Sequence, residues 1–430
     1  MDKKVLVISY TALMASTPNG RTMQSLLQGV PSENISLFCC YGLPDMHSCQ
    51  TCYKISNKDA LRLMIHPSKY GQAVDMQMSC TTVNAEHTML QDQRKGDKKA
   101  WKYLAKELVW AARGWRNAKF QQWLNDQNYD CVVYMYGDSA ALQNLAVYAA
   151  GKKQVPLIVY SCEDYCLKDY NYIDKKKWSI SFFVYRLITN HATKCLFKRA
   201  SWLITNSEKL GREYKNKYGL KNVSTVMMAS QMAFKPPKPY QETENIHIDY
   251  LGALGHYRIK ALVEIGNALQ NIDTRLKLNV YGRVQNESHK QQLEACKGIQ
   301  YHGFVPYEKV QEIMYDSTLL IEAISDDPYV KKSKRYGFST KYADCFACGT
   351  PLLVYAPDDI IETEFAREHD CAFVASTLEE LPSVLRDAIY NSDARMQKLK
   401  SAQYVTNRFF SVDTNIDTVN RIIDEAVAQR

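Results

Sequence analysis

Eight apolar, β-branched runs constrain this chain more than any other feature of it. Four stand in the first half, "KVLVIS", "CVVYMY", "PLIVYS" and "WLIT", and four in the second, "IHIDYLG", "LKLNVYG", "STLLIEA" and "TPLLVYA". Continuous runs without polar alternation fit parallel strands covered on both faces. The segments between them read as helices: Arg258 to Gln270 places Ile259, Leu262, Ile265 and Leu269 near helical spacing. Strands alternating with helices predict an α/β protein built on two Rossmann-like, doubly wound sheets.

The chain is long enough for two such domains, with 430 residues, 46% of them hydrophobic and 23% charged. Their boundary is expected at "FKPPKPYQETEN", residues 234–245, where adjacent prolines, charge and few apolar residues favour a linker. This assigns 1–233 to a first domain, 246–405 to a second, and 406–430 to a terminal helix. In "DTNIDTVNRIIDEAV" Asp413 is the expected N-cap, with Ile416, Val419 and Ile423 on one face.

The opening "MDKKVLVISY" reads as a first strand and not as a targeting segment, and no apolar run nears bilayer-spanning length. Thirteen cysteines without the spacing of a disulfide scaffold suggest free thiols in a reducing compartment, with the cytoplasm as the expected location. Cys49 and Cys52 form a lone CxxC near Cys39 and Cys40. Free thiols are preferred there over a zinc knuckle, because no second spaced pair and no suitably spaced His accompany them. The N-x-S triplets at Asn34, Asn222 and Asn286 are then chance matches.

The net charge of +8 is unevenly spread. Residues 94–119 carry nine Lys or Arg against Asp97 and Glu107, interleaved with Trp101, Tyr103, Trp110 and Trp115; residues 175–199, with "KKKWSISFFVYR", form a second such stretch. Two readings stand side by side. One is a surface for an anionic membrane, with aromatics at headgroup depth; the other is a set of amphipathic helices whose aromatics face the core. A nucleic-acid surface is not expected, since the charge is modest and no recognisable nucleic-acid module accompanies it.

One stretch promises a ligand. "YGFSTKYADCFACGTPLLVYAP", Tyr336 to Pro357, passes from a glycine loop into a helix and out into a strand. If the helix starts near Ser339, its unpaired N–H groups and positive dipole end, with the charge of Lys341, suit a phosphate. Lys341, Asp344 and Cys348 then fall at i, i+3 and i+7, along one face. A carboxylate one turn in is placed to grip vicinal ribose hydroxyls. Phosphate with ribose means a nucleotide. Gly282 and Arg283 after "LKLNVY", and Gly303 in "YHGF", lie where strand ends would border a nucleotide cleft. The ordinary alternatives are N-caps for Ser339 and Thr340, a solvated carboxylate for Asp344, and a helix cap or surface ion pair for Arg258.

"DCFACGTPLLVYAP", with "YLGALGHYRIKALVEIGNAL" before it and "VYGR" and "YHGFVP" between, resembles the C-terminal half of the large retaining group of GT-B glycosyltransferases. In those enzymes the helix after a glycine loop carries a ribose-binding Glu, and Asp344 stands at that place. "NGRT", "GALGHYR" and "FSTK" narrow the likeness to a subgroup from surface-polysaccharide gene clusters. The likeness covers the second half, and in the first half rests mainly on "TPNGRTMQSLL".

The resemblance implies a GT-B fold, two domains facing a cleft with the last helix crossing back to the first. It implies a hexosyltransferase-like enzyme that moves a sugar, with retention, from a nucleotide sugar to a glycan or lipid-linked acceptor, peripherally at the inner face of the membrane. Arg258 aligns with a Lys that meets the diphosphate. Arg258 and Lys341 are therefore the expected catalytic cations, and Gly252, Gly337, Phe338, Ser339, Thr340 and Asp344, with the strand-end residues above, the expected donor contacts. No cofactor and no metal are expected, because those cations can neutralise the developing charge. Two positions depart from the pattern: Tyr336 replaces a sugar-contacting Glu, and Ala253 replaces an Arg. The alternative they support is a non-catalytic nucleotide-sugar-binding or scaffold protein.

The first half is expected to supply the acceptor side. "TPNGRTMQ" would place Asn19 and Gly20 in a tight turn before a helix, where backbone can approach a sugar closely. Asp138 in "YMYGDS", and Glu163 with Asp164 in "YSCEDY", follow expected strands and could orient an acceptor hydroxyl. For Asp138 a helix cap is the ordinary alternative.

Overall fold

All eight runs form strands. The computed structural model describes residues 2–66, 69–74, 99–112, 114–174, 179–230, 232, 235–236, 245–284 and 286–429. The chain divides into two units, Met1–Met227 with Asn415–Arg430, and Met228–Thr414. The described residues 228–230 and 232 thus fall in the second unit. Of the expected linker, residues 234 and 237–244 lie outside the described residues; Lys235 donates its N–H to Ala347 O at 3.1 Å, within the second unit.

The first unit holds an eight-stranded sheet of β1 (Val5–Ile8), β2 (Ile35–Cys39), β3 (Thr51–Lys54), β4 (Gln72–Val74), β5 (Cys131–Met135), β6 (Leu157–Ser161), β7 (Trp202–Thr205) and β8 (Val223–Thr225). The order is β4-β3-β2-β1-β5-β6-β7-β8, and only β4 runs antiparallel to its neighbour. β1, β2, β6 and β7 are buried along their whole length, as strands covered by helices on both faces must be.

The terminal helix Val412–Ala428 buries Val419, Ile422, Ile423 and Ala426 in the same core as Val5, Val7 and Leu26. Asp413 lies inside its first turn and is not the N-cap; Ser411 Oγ accepts from the N–H of Thr414 at 3.4 Å instead. No described helix is long and apolar enough to cross a membrane.

The second unit holds six parallel strands, β9 (Ile248–Leu251), β10 (Leu278–Tyr281), β11 (Ile299–Gly303), β12 (Leu319–Ala323), β13 (Leu352–Tyr355) and β14 (Phe373–Ala375), in the order β11-β10-β9-β12-β13-β14. The helix after β9 spans His256–Ile272, and its Ile259, Leu262, Ile265 and Leu269 are buried against the sheet. Each sheet has one place where the strand order reverses: between β1 and β5 in the first, between β9 and β12 in the second. The crevice outside the strand ends at such a point is where open α/β sheets take ligands.

Candidate functional site

At the reversal of the second sheet, three glycines end three adjacent strands. Gly252 follows β9 and donates its N–H to Tyr281 O at 3.0 Å; Gly282 follows β10 and donates to Gly303 O, at the end of β11, at 2.7 Å. A Cβ at Gly282 would fall 2.0 Å from Gly252 O, and its φ is +156°. Only glycine permits that approach.

Onto this platform two cations converge. Arg258 sits in the first turn of the helix His256–Ile272, yet its guanidinium is buried; Nη1 donates to Glu322 Oε1 and, at 2.9 Å, to Ala323 O. Lys341 opens the helix Lys341–Ala347, and its Nζ donates to Glu322 Oε2 at 2.6 Å. The same ammonium lies 4.5 Å from the centre of the Tyr250 ring, a favourable cation–π distance. Burial pushes the Glu322 carboxyl up, but Arg258 and Lys341 outweigh it and hold the group at about 2. Burial pulls the lysine and arginine down, and Glu322 more than restores both. All three are charged, two cations against one carboxylate. Arg258 Nε is buried with no partner.

The loop differs from its expected form. The helix starts at Lys341 with Thr340 as cap residue, and it has no side-chain cap bond, so Ser339 and Thr340 are not N-caps of the usual kind. The Ser339 N–H, expected to be open to phosphate, already donates to Glu362 Oε1 at 3.1 Å. Glu362 is wholly buried, and that burial pushes its carboxyl up to about 7. Phe338 is buried and packs against Tyr342, Phe365 and Phe410, with ring centres 5.4, 5.0 and 6.1 Å away. Its position fastens the loop. Gly337, next to it, is half-buried. Asp344 lies one turn into the helix, half-buried, with Oδ1 accepting from Ser230 Oγ at 2.7 Å. Tyr336 is buried, and Arg283 sits with its guanidinium 4.4 Å from the Phe304 ring centre.

Residues 263–421 match the family model described as glycosyl transferase-like, a span that contains Glu322, Lys341 and Asp344. Three solved structures share the architecture over nearly the whole chain. Alr3699/HepE of Anabaena, in complex with UDP-glucose, is 11% identical over 98% of this chain and 100% of its own, with a TM-score of 0.56. Sucrose-phosphate synthase of Thermosynechococcus elongatus is 10% identical over 100% of each chain, with a TM-score of 0.59. The lipopolysaccharide outer core galactosyltransferase WaaB is 14% identical over 98% of this chain and 99% of its own, with a TM-score of 0.56. The fold is GT-B. No curated protein matches the chain at a significant level by sequence.

The first unit of this GT-B chain treats its expected residues unevenly. Asn19 and Gly20 lie inside the helix Pro18–Leu26, not in a turn before it; Thr17 is the N-cap, and its Oγ1 accepts from the Gly20 N–H at 3.2 Å. A Cβ at Gly20 would sit 2.3 Å from Met14 O. That glycine therefore serves close packing of the chain on itself. Asp138 is half-buried, and its main-chain O accepts from Tyr185 OH at 2.5 Å. The cap position of the helix Ala140–Lys153 belongs to Ser139, so the ordinary alternative for Asp138, a helix cap, does not hold. Asp164 is buried in an ion pair with Lys168 at 2.8 Å, and Glu163 is exposed.

The sequence reading missed two residues near Asp138. Lys106 lies 3.6 Å from Glu107 Oε1 and faces the rings of Tyr10 and Tyr103, while Glu107 Oε2 accepts from the Ala141 N–H at 3.1 Å. In the second unit it missed Glu322, although a lone carboxylate in the apolar run "STLLIEA" is itself a signal of a perturbed, partnered group.

The basic stretches are divided between the two readings. Trp110 and Trp115 are buried; Trp101 and Leu108 on the helix Ala100–Ala111, and Ile180, Phe183 and Leu187 on the helix Ile180–Arg199, are exposed. Residues 94–98, 113 and 175–178 lie outside the described residues. No described cysteine is in a disulfide, Cys49 and Cys52 included, and no group of three or more potential metal ligands occurs among the described residues.

Proposed function

We propose that this chain is a glycosyltransferase that moves a sugar from a nucleotide sugar to a glycan or lipid-linked acceptor in surface-polysaccharide synthesis, with retention at the anomeric carbon. The observation that carries the reading is the pair Arg258 and Lys341, drawn together at the β9/β12 reversal. As the bond between anomeric carbon and diphosphate oxygen breaks, its electron pair goes to that oxygen, and the two cations oppose the growing charge. The acceptor hydroxyl forms the new bond and its proton passes to the leaving diphosphate. Asp344 receives the ribose hydroxyls after exchanging its bond to Ser230. Because the two side chains supply the positive charge, the reaction runs without a metal ion. Work at the inner membrane face is supported by the exposed Trp101 and Leu108 on a helix that carries Lys102 and Lys106, and by the exposed Ile180, Phe183 and Leu187 on a helix that carries Arg186, a composition that favours anionic headgroups.

The test is turnover of a nucleotide-sugar panel, beginning with the UDP-glucose seen in the Anabaena structure. Transfer, or slow hydrolysis in the absence of acceptor, is expected. Binding without either outcome would favour the second reading, a non-catalytic scaffold, for which the buried Tyr336 in the place of a sugar-contacting Glu is the supporting observation.

A further inference from the structure

Glu322 has no part in the roles assigned so far. It is the fourth residue of β12, 1% exposed, in a strand otherwise made of Leu319, Leu320, Ile321 and Ala323. A carboxylate in such a place is tolerated only when paired and hydrogen-bonded. Each of its oxygens takes one cation, Oε1 from Arg258 and Oε2 from Lys341, and these cations arrive from different helices. Arg258 keeps a buried Nε without a partner, and the Lys341 side chain is 24% exposed. Gly252 keeps the space beside the ammonium clear, since a Cβ there would lie 3.3 Å from Lys341 Nζ. One side of the cation pair is bound to Glu322, and part of the Lys341 side chain stays exposed.

We propose that Glu322 is a positioning residue of the donor site, whose two oxygens hold Arg258 and Lys341 at a fixed separation for the leaving diphosphate and whose charge keeps the pair from retaining the product. This inference rests on the glycosyltransferase reading. Without Glu322 the two like charges repel one another and swing apart. The site then carries one more positive charge. Attraction for the nucleoside diphosphate rises, while the geometry that favours the transition state over the ground state is lost.

The test is Glu322→Gln, with turnover measured on the preferred nucleotide sugar and affinity measured by calorimetry with uridine diphosphate. Turnover at saturating donor is expected to fall about tenfold or more, and the Kd for uridine diphosphate to fall by about threefold or more. A merely structural carboxylate predicts the opposite sign for affinity, because a loosened site binds less. Glu322→Asp keeps the charge but withdraws it, so turnover is expected to fall with the Kd unchanged within about twofold. Turnover of Glu322→Gln within about twofold of wild type, or weaker uridine diphosphate binding, overturns the inference.

Should Glu322→Gln fail to fold by circular dichroism, Glu322→Asp/Lys341→Met is measured beside its two single variants. A turnover loss smaller than the product of the Glu322→Asp and Lys341→Met losses supports the coupling, and a loss equal to that product overturns it. Absence of wild-type turnover on every donor sinks the glycosyltransferase reading, and the affinity arm still decides the inference.

Discussion

The two sheets offer the same topological position to a ligand and fill it with opposite charge. At the β9/β12 reversal two cations, Arg258 and Lys341, surround one carboxylate, Glu322. Near the β1/β5 reversal one cation, Lys106, raised above its usual range by Glu107 and Asp138, stands among those carboxylates and the hydroxyls of Tyr10 and Tyr103. A surplus of positive charge suits a diphosphate; a surplus of carboxylate suits a hydroxyl that must be oriented and relieved of a proton. Fold position says where a ligand can lie, and the local balance of charge says which one.

The largest effect is expected at the cations. Lys341→Met or Arg258→Met is expected to lower turnover at saturating donor about a hundredfold or more, with donor affinity falling less. Steady-state kinetics checks it: a rise in KM alone, with turnover preserved, would break the contrast by making both residues simple binding contacts.

A smaller loss is expected one turn along. Asp344→Asn removes charge-assisted hydrogen bonds to ribose of about 1.5–3 kcal/mol each, so calorimetry with the donor should show roughly a tenfold or greater weakening. Unaltered affinity in a folded variant would reject the ribose role and leave Asp344 a structural residue bonded to Ser230.

The first sheet is tested by Asp138→Asn, for which the KM for acceptor should rise on the order of tenfold while the nucleotide Kd stays level. A change in nucleotide affinity would erase the division of labour between the sheets.

The smallest effect on turnover is expected at Glu362, which accepts a loop N–H and has no ion-pair partner among the described residues, so that burial dominates its shift. Its folded-state value, about 7, stands above the ordinary 4.5. Its contribution to stability is therefore complete below the lower value and is lost as pH rises through the upper one. Glu362→Gln is expected to remove that loss, on the order of 3 kcal/mol at most. Thermal unfolding of the two proteins between pH 5 and pH 8 checks it: parallel profiles would show that the carboxyl does not titrate in this range.

Much of the architecture could be read directly from the chain. The eight apolar runs became β1, β5, β6, β7, β9, β10, β12 and β13, and the helix around Ile259, Leu262, Ile265 and Leu269 formed where spacing placed it. Both signals are short-range: a run or a period lies within one element, and burying it is favourable wherever that element packs. Several of the strands missed were short or mixed in polarity, such as β14 with three residues and β11, where His302 and Gln300 alternate with apolar side chains, although the wholly buried β2 was missed as well. Lys341 and Arg258 were legible as cations beside turns.

Their partner was not. Glu322 stands 64 residues from Arg258 and 19 from Lys341, and Glu362 takes the N–H of Ser339 from 23 residues away. No periodicity encodes such pairs, because they depend on which strand lies beside which and on how far each helix reaches over the sheet. The amino-acid sequence by itself determined where strands and helices would form and which residues could carry charge. Tertiary structure alone decided which charges meet, since only the order of strands brings the ends of β9 and β12 together, and only burial there makes their pairing strong.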